Sequence, residues 1–267
     1  MITAVTKFFQ SRKTKTMSKI LAVLCICIAA AACGGQVSRL PSDDPTPRNT
    51  PPPPTSAPTP CSNCSGTVFV GDSIFAKLAV LDPDFVSAGY VNAGIFGQRT
   101  DEMLARFNDT ILGVNVCHGY NPPAGQPASS EFPYVCASYP QQFKTVVILG
   151  GWNNFFQNNP NNSTLPDTGS MVSLARSRGM NVIVCTLYAF DPAHPAPWMQ
   201  PTGSAPVTFF DVWRNPLNDG IRQLSGISVV DLGAIFSGQS GYTSDGVHPT
   251  DFGNATIFSA IKSKVLQ

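Results

Sequence analysis

The sequence predicts an α/β fold with a mainly parallel sheet that is covered by helices on both faces. Short apolar segments without polar alternation recur after residue 66, and such segments are typical of strands buried on both faces. Segments with helical spacing lie between them, and strands that alternate with helices form parallel sheets. Because ligands bind such sheets at the carboxyl ends of the strands, residues that directly follow a strand are candidates for function.

Four apolar segments are the predicted strands. They are residues 67–70, 145–149, 182–186 and 228–231. Valine is present in all four, and β-branched residues fit a pleated sheet well. The short length of each segment favours a strand over a buried helix.

The first two predicted helices cover residues 101–111 and 170–178. Thr100 is the candidate N-cap of the first, and acidic residues follow it in the first turn, where the helix dipole favours them. Gly179 follows the second helix and suits the left-handed conformation that commonly ends a helix.

Two further helices are predicted near the C-terminus. One lies within residues 211–225, and Pro216 limits where it can start, because proline lacks the N–H that a helix interior needs. The last covers residues 251–265, has an amphipathic pattern and has Thr250 as its candidate N-cap.

The N-terminal residues 1–33 are predicted to be an export signal. Lysines precede the apolar stretch 20–32, which is too short to cross a bilayer comfortably, and Met17 is an alternative start. The stretch ends in Ala-Ala-Ala-Cys-Gly-Gly, which resembles a bacterial lipobox with Cys33 as the lipidated first residue of the mature protein. Ordinary cleavage by signal peptidase remains the alternative. We therefore expect export to the bacterial cell envelope, as an outer-membrane lipoprotein or a periplasmic protein.

The chain after the signal divides into a linker and one domain. Residues 34–65 are rich in proline, which predicts an extended polyproline-II spacer. Residues 66–267 are long enough for one domain with a sizeable core. The formal net charge is +1 and charged residues make up 12% of the chain, so nothing predicts binding to nucleic acid. We expect a monomer that contacts the membrane through a lipid anchor at most.

Five cysteines follow the predicted signal and lipid site. An exported protein meets an oxidising compartment, so we predict disulfides between Cys117 and Cys136 and between Cys61 and Cys64. Cys185 lies inside a predicted strand and is expected to stay free. A Cys-x-x-C pair can also serve redox chemistry or half a zinc site, but no second pair has metal spacing, so we expect no metal.

The long loops divide between the two edges of the predicted sheet. The insertion at residues 115–143 leads from a helix into a strand, so we expect it at the edge opposite the chemistry. Residues 155–167 and 188–210 follow strands, and they are expected to surround the site with some of their aromatic side chains. His118 and His194 are expected to be ordinary loop residues.

Two short strings carry the strongest functional signal. Gly-Asp-Ser at residues 71–73 ends the first strand and offers Ser73 as a nucleophile. Ser-Asp-Gly-Val-His-Pro near the C-terminus offers Asp245 three residues before His248. A nucleophile, a general base and a group that orients the base are the parts of a serine hydrolase.

These strings and two others resemble a known family. Gly-Asp-Ser at 71–73, Asn-Ala-Gly-Ile-Phe-Gly at 92–97, Gly-Gly-Trp-Asn at 150–153 and Asp-Gly-Val-His-Pro at 245–249 occur in this order. Together they resemble the SGNH hydrolases, the GDSL-type esterases and lipases. The resemblance covers the whole predicted domain and implies a flavodoxin-like three-layer α/β/α sandwich.

The resemblance also implies the roles of individual residues. Ser73 is the nucleophile, His248 is the general base and then acid, and Asp245 orients the imidazole. The Ser73 and Gly97 backbone N–H groups and the Asn153 side-chain amide are the implied oxyanion donors. No cofactor and no metal are implied.

The chain departs from the family pattern at three points. Ile74 replaces the leucine of Gly-Asp-Ser-Leu, Asn154 replaces a frequent aspartate, and the insertion at 115–143 exceeds what the family core needs. The Gly-x-Ser-x-Gly string of the α/β-hydrolases is absent.

The sequence therefore predicts a serine ester hydrolase that acts through an acyl-enzyme. A lipid ester and an O-acetylated carbohydrate both remain open as substrates. Two other classes also remain open, since an O-acetyltransferase uses the same constellation and a binding lipoprotein can keep the fold without turnover.

Overall fold

The computed structural model describes residues 66–81, 85, 87–140, 143–157, 163–193 and 206–267. Several predictions fall outside these residues and stay predictions. They concern the export signal, the whole linker, and Cys33, Cys61, Cys64 and His194.

Five parallel strands form the main sheet. They are β1 (Thr67–Gly71), β2 (Val91–Gly94), β5 (Thr145–Leu149), β6 (Asn181–Cys185) and β7 (Ser228–Val230). Their spatial order is β2-β1-β5-β6-β7, and every neighbouring pair is parallel. This is the flavodoxin-like order, in which the direction of winding reverses between β1 and β5. The ends of β1 and β5 therefore flank the point where such sheets bind ligands.

The four predicted strands are confirmed to within one residue at either end, and a fifth strand was missed. The missed strand β2 has the sequence Val-Asn-Ala-Gly, so it lacks a continuous apolar run. Asn92 is nevertheless buried, and its side-chain Oδ1 accepts a 2.8 Å hydrogen bond from Gly94 N. The strand forms because β1 offers it a complete parallel ladder.

Helices cover the sheet on both faces. They are α1 (Ser73–Leu81), α2 (Thr100–Ile111), α3 (Trp152–Phe156), α4 (Thr164–Ser177), α5 (Pro206–Gln223), α6 (Leu232–Ile235) and α7 (Asp251–Val265). Helix α1 packs against α7, while α2 packs against α4 and α4 against α5. The sheet between these two groups is buried, and every residue of β1 and β5 is inaccessible to solvent or nearly so.

Three helices begin earlier than predicted, and one of them, α5, starts at Pro206 instead of within residues 211–225. Helix α2 starts at Thr100, so Thr100 is its first residue and Arg99 occupies the N-cap position. Arg99 N donates a 2.9 Å hydrogen bond to the Glu102 carboxylate, which replaces the expected threonine cap. Helix α4 starts at Thr164 instead of residue 170, because Pro166 lies in its first turn, where a proline costs no helical hydrogen bond.

Pro216 lies inside α5 and does not limit its start. Contacts just after the proline hold the helix in place. Asn218 is buried, its Oδ1 accepts a 2.9 Å hydrogen bond from Leu187 N, and its Nδ2 donates a 2.7 Å bond to Leu187 O. Tertiary bonds and the burial of Leu217 and Ile221 outweigh the lost backbone bond.

Two predicted helix ends are confirmed. Thr250 caps α7, and its Oγ1 accepts a 3.3 Å hydrogen bond from Gly253 N. Gly179 follows α4 with a φ of 72°, the left-handed conformation that glycine adopts without a steric penalty.

Among the described helices, none is long and apolar enough to cross a membrane. The described residues also contain no cluster of three or more His, Cys, Asp or Glu side chains that could hold a metal ion.

Candidate active site

The Gly-Asp-Ser turn joins β1 directly to α1. Ser73 is the first residue of α1, just after β1 ends at Gly71, so it lies at the carboxyl end of this strand, and it is 8% exposed. The turn is tight because Gly94 of β2 passes close beneath it. A Cβ at Gly94 would lie 2.3 Å from Ala76 N and 2.8 Å from Asp72 O, so only glycine allows this approach.

Ser73, His248 and Asp245 form a continuous hydrogen-bonded chain. Ser73 Oγ lies 3.0 Å from His248 Nε2, and His248 Nδ1 lies 2.6 Å from Asp245 Oδ2. The second carboxylate oxygen, Asp245 Oδ1, accepts hydrogen bonds from His248 N at 2.7 Å and Val247 N at 2.9 Å. Burial alone would raise the pKa of Asp245, but these hydrogen bonds outweigh it and hold the pKa well below its usual range. The carboxylate therefore stays ionised beside the imidazole.

The loop of residues 243–250, which carries Asp245 and His248, is held in place by residues that follow β6. The Tyr188 hydroxyl donates a 2.5 Å hydrogen bond to Val247 O. Asp191 is fully buried, and its Oδ2 accepts a 3.0 Å bond from Thr243 N. The sequence analysis did not single out Asp191 at all. An aspartate five residues after a predicted strand, in a loop already expected near the site, was the available signal.

The residues implied as oxyanion donors lie around Ser73. Gly97 has a φ of 75°, so the chain reverses there in a conformation that disfavours other residues. Asn153, in α3, donates from Nδ2 to Gln98 O at 3.0 Å. One amide hydrogen is thus anchored, and the second has a longer contact of 3.5 Å with Asp72 Oδ2. A strong acceptor in the pocket could compete for that second hydrogen.

Asn154 makes a different set of contacts from its neighbour. Its side chain is buried, its Oδ1 accepts a 2.9 Å hydrogen bond from Thr100 N, and its Nδ2 donates to Thr100 Oγ1 at 3.0 Å. Thr100 Oγ1 in turn donates to Asp167 Oδ2 at 2.8 Å. Asn154 therefore joins α3 to the first turns of α2 and α4.

Asp72 is a buried carboxyl group that the sequence analysis did not single out. It is 1% exposed, and its Oδ1 accepts a 3.0 Å hydrogen bond from Ile74 N. Burial raises its pKa to about 6, although this hydrogen bond and the charge of His248 act in the opposite direction.

Asp72→Asn is expected to stabilise the protein more at pH 8 than at pH 4. The pKa of Asp72 is about 6 when folded and near 3.8 otherwise, so the folded state binds the proton more tightly. The contribution of Asp72 to the free energy of unfolding therefore falls as the pH rises from 4 through 6, by about 3 kcal/mol. Melting temperatures of both proteins at pH 4, 6 and 8 measure the difference.

The exposed Asp109→Asn is the matched control for this prediction. Its melting temperatures at the same three pH values show what the loss of an exposed carboxylate does. If the melting temperatures of Asp72→Asn and the wild type differ by the same amount at all three pH values, the raised pKa of Asp72 is contradicted.

A cavity of about 250 Å³ opens beside the triad. Its walls are mostly apolar and aromatic side chains, and they include the implied oxyanion residues. It is lined by Ser73, Ile74, Phe96, Gly97, Tyr120, Trp152, Asn153, Phe156, Val247 and His248.

The insertion reaches this cavity, contrary to the sequence prediction. Its strands β3 (Val116–His118) and β4 (Val135–Ala137) form an antiparallel hairpin. Gly119 continues β3 alongside β2, with Phe96 N donating to Gly119 O at 3.1 Å and Gly119 N donating to Gly94 O at 2.9 Å. The prediction considered only the two ends of the insertion. Because β3 runs parallel to β2, the far end of the hairpin lies at the same edge as Ser73.

The cysteines of the described chain behave as predicted. Cys117 and Cys136 stand opposite each other in the hairpin and form a disulfide, and Cys185 is free. Burial raises the pKa of the Cys185 thiol, so this group stays protonated and unreactive. His118 is in β3 instead of a loop, and burial lowers its pKa.

A parallel α/β sheet with a Ser–His–Asp hydrogen-bonded chain at its carboxyl edge has the architecture of a serine hydrolase. Residues 69–256 match the family model of the GDSL-like lipases and acylhydrolases. The chain belongs to this family, and it is a carboxylic ester hydrolase of the SGNH/GDSL type.

Solved structures share the fold of this chain. A protein from Bacteroides fragilis described as an acylhydrolase is 26% identical, with a TM-score of 0.56 over 78% of this chain and 90% of its own. A GDSL-like lipase from Bacteroides thetaiotaomicron is 23% identical, with a TM-score of 0.55 over 75% of this chain and 87% of its own. No curated protein matches the chain.

Proposed function

We propose that the protein hydrolyses a neutral carboxylic ester through an acyl-enzyme formed on Ser73. The observation that carries this proposal is the chain of hydrogen bonds from Ser73 Oγ through His248 to Asp245, which opens into a cavity. A serine hydroxyl is a weak nucleophile on its own, and an adjacent base activates it.

In the first half of the reaction, His248 Nε2 takes the proton of Ser73 Oγ while that oxygen attacks the ester carbonyl. The Asp245 carboxylate stabilises the imidazolium that forms. The imidazolium then gives its proton to the alkoxide oxygen as the bond between carbonyl carbon and alcohol oxygen breaks. The alcohol leaves, and the acyl group remains on Ser73.

The tetrahedral intermediate carries a negative charge on the former carbonyl oxygen. The donors for it are the backbone N–H groups of Ser73 and Gly97 and the second hydrogen of Asn153 Nδ2, which leaves its long contact with Asp72 for the stronger acceptor. The anchor on Gln98 O fixes the Asn153 amide before the charge develops, so little reorganisation is needed.

In the second half, water takes the place of the alcohol. His248 removes its proton, the resulting hydroxyl attacks the acyl carbon, and Ser73 recovers its proton as the acid leaves.

The cavity favours an uncharged substrate. Among the described residues that line it there is no Lys, Arg, Asp or Glu, and a charged group beside them would lose its hydration without gaining a partner. A lipid ester and an O-acetylated carbohydrate both satisfy this condition.

A panel of p-nitrophenyl esters, run with Ser73→Ala as the control, tests this function. We expect saturable hydrolysis that depends on Ser73. Adding an alcohol or a sugar as acceptor separates hydrolysis from acetyl transfer, because a transferase would form the new ester in preference to the free acid. Absence of turnover with every ester, in a protein with a normal melting temperature, would favour a binding protein.

We also expect Cys33 to anchor the protein in the envelope through a lipid. The support is the small residues before this cysteine at the end of the apolar stretch. Lipidated protein should partition into the detergent phase, and Cys33→Ser should release it or block its processing. An unmodified mature N-terminus beyond Cys33 would instead show an ordinary secreted enzyme.

A further inference from the structure

The residues around the nucleophile follow an order along the edge of the sheet. Ser73 follows β1, and Asn153 follows β5 on one side of it. On the other side β2 ends at Gly94, and Gly119 pairs with Ile95 just after it. Because the opposite edge of β2 is occupied by β1, Gly119 and the adjacent Tyr120 lie on the outer side of β2.

The loop of residues 243–250, which carries Asp245 and His248, lies on the other side of Ser73 from Tyr120. Its Val247 and Thr243 are bonded to Tyr188 and Asp191, which follow β6. Strand β6 lies beyond β5 in the sheet, while Tyr120 lies beyond β2. Tyr120 and His248 therefore line the same cavity from opposite sides of the nucleophile.

The chemistry assigns the two parts of an ester to these two sides. His248 must reach the alcohol oxygen to give it a proton, so the alcohol part of the substrate lies on the His248 side. The acyl chain leaves the carbonyl carbon in the other direction, toward Phe96 and Tyr120. These two residues are thus the wall that an acyl chain meets.

This wall is fixed from several directions. Tyr120 N donates to Phe132 O at 2.9 Å, and the Phe96 ring meets the Tyr120 ring edge to face with centroids 6.2 Å apart. The centroids of the Phe132 and Phe96 rings are 4.9 Å apart, and Lys77 Nζ of helix α1 lies 5.9 Å from the centroid of the Phe132 ring. The Cys117–Cys136 disulfide closes the hairpin behind these contacts. A wall held in this way excludes a longer chain instead of moving aside for it.

We propose that Tyr120 limits the length of the acyl chain, so that the substrates are esters of short, uncharged acyl groups from acetyl to butyryl. The proposal rests on the acyl-enzyme function of Ser73. The cavity of about 250 Å³ is small beside the about 300–1,000 Å³ that is typical of pockets for drug-sized ligands. The acyl and alcohol parts share this space, so the part on the Tyr120 side suits a short acyl chain.

The test measures kcat/KM for p-nitrophenyl acetate, butyrate, hexanoate and octanoate with the full chain, so that only the acyl part varies. Wild-type activity should fall steeply beyond butyrate. Tyr120→Ala should raise the ratio of kcat/KM for hexanoate to kcat/KM for acetate on the order of tenfold. Each methylene that becomes buried in an apolar site raises kcat/KM about fourfold. Tyr120→Trp should lower the same ratio, and Tyr120→Phe should keep it because the ring remains.

Labelling of Ser73 by a fluorophosphonate separates this proposal from the function on which it rests. If Ser73 of the wild type is not labelled, the acyl-enzyme function fails whatever Tyr120 does. If Ser73 is labelled in all variants but Tyr120→Ala and Tyr120→Trp leave the ratio unchanged, Tyr120 is not the wall.

A second series of acetate esters with alcohols of rising size completes the test. A response of the Tyr120 variants to the alcohol instead of the acyl chain would overturn the assignment of the two sides. Tyr120→Leu replaces Tyr120→Ala if the alanine variant has a melting temperature too low for assay, and the same increase in the ratio is expected from it.

Discussion

Ser73→Ala is expected to lower kcat/KM for a simple ester by about five orders of magnitude, and His248→Ala by a similar factor. Ser73 Oγ and His248 Nε2 lie 3.0 Å apart, so each residue depends on the other for the first proton transfer. The double variant should lose little more than either single variant, because residues that act as one unit are not additive. Steady-state kinetics with p-nitrophenyl acetate measure all three variants.

Ser173→Ala, at an exposed serine of α4, is the control for the loss of a hydroxyl. It should keep the wild-type rate. Losses that multiply in the double variant would mean that Ser73 and His248 act in separate steps.

Asn153→Ala is expected to reduce kcat about 100-fold with little change in KM. The Asn153 amide is anchored on Gln98 O, and its remaining hydrogen acts where charge develops in the transition state. Asn154→Ala is the matched control, because its side chain bonds to Thr100 and not to groups that line the cavity. We expect it to lower the melting temperature and to change kcat much less.

Kinetics and thermal melts of both asparagine variants decide between two accounts. If both asparagines only hold a polar turn, the two variants should lose stability together and lose similar, small amounts of rate. Equal, modest losses of kcat would therefore remove Asn153 from the site.

The fold class could be predicted from the sequence because most strands of the main sheet are continuous apolar segments. The segment at 145–149 is the observed β5, and 182–186 differs from β6 by one residue at each end. Strand β2 could not be found in this way, since its stability comes from pairing with β1 and its Asn92 interrupts the apolar pattern. Long-range pairing of this kind leaves no local signal.

Helix boundaries were missed where side chains bond to distant elements. Thr100 looks like a cap in the sequence, but its backbone N–H is taken by Asn154, more than fifty residues away in the chain. Pro216 would interrupt an isolated helix, but the bonds of Asn218 to Leu187 stabilise α5 beyond it. Local propensity is a weak guide wherever tertiary contacts of this strength act.

The catalytic residues of the candidate site could be predicted from the sequence, but only some of the residues around its cavity could. Ser73, Asp245 and His248 were found because their residue types and their places in four ordered strings carry the signal. Tyr120 was missed because the course of the insertion depends on how β3 lies against β2. Asp72 and Asp191 were missed because burial, not residue type, gives them their importance.

Reaction with a fluorophosphonate probe, followed by peptide mapping, tests the central claim most directly. The probe forms a stable bond only with an activated nucleophile, and Ser73 lies within hydrogen-bonding distance of His248. We expect Ser73 to be the one modified residue, with labelling abolished in Ser73→Ala and strongly slowed in His248→Ala. Labelling of another serine, or undiminished labelling in His248→Ala, would contradict the assignment of Ser73 as a nucleophile activated by His248.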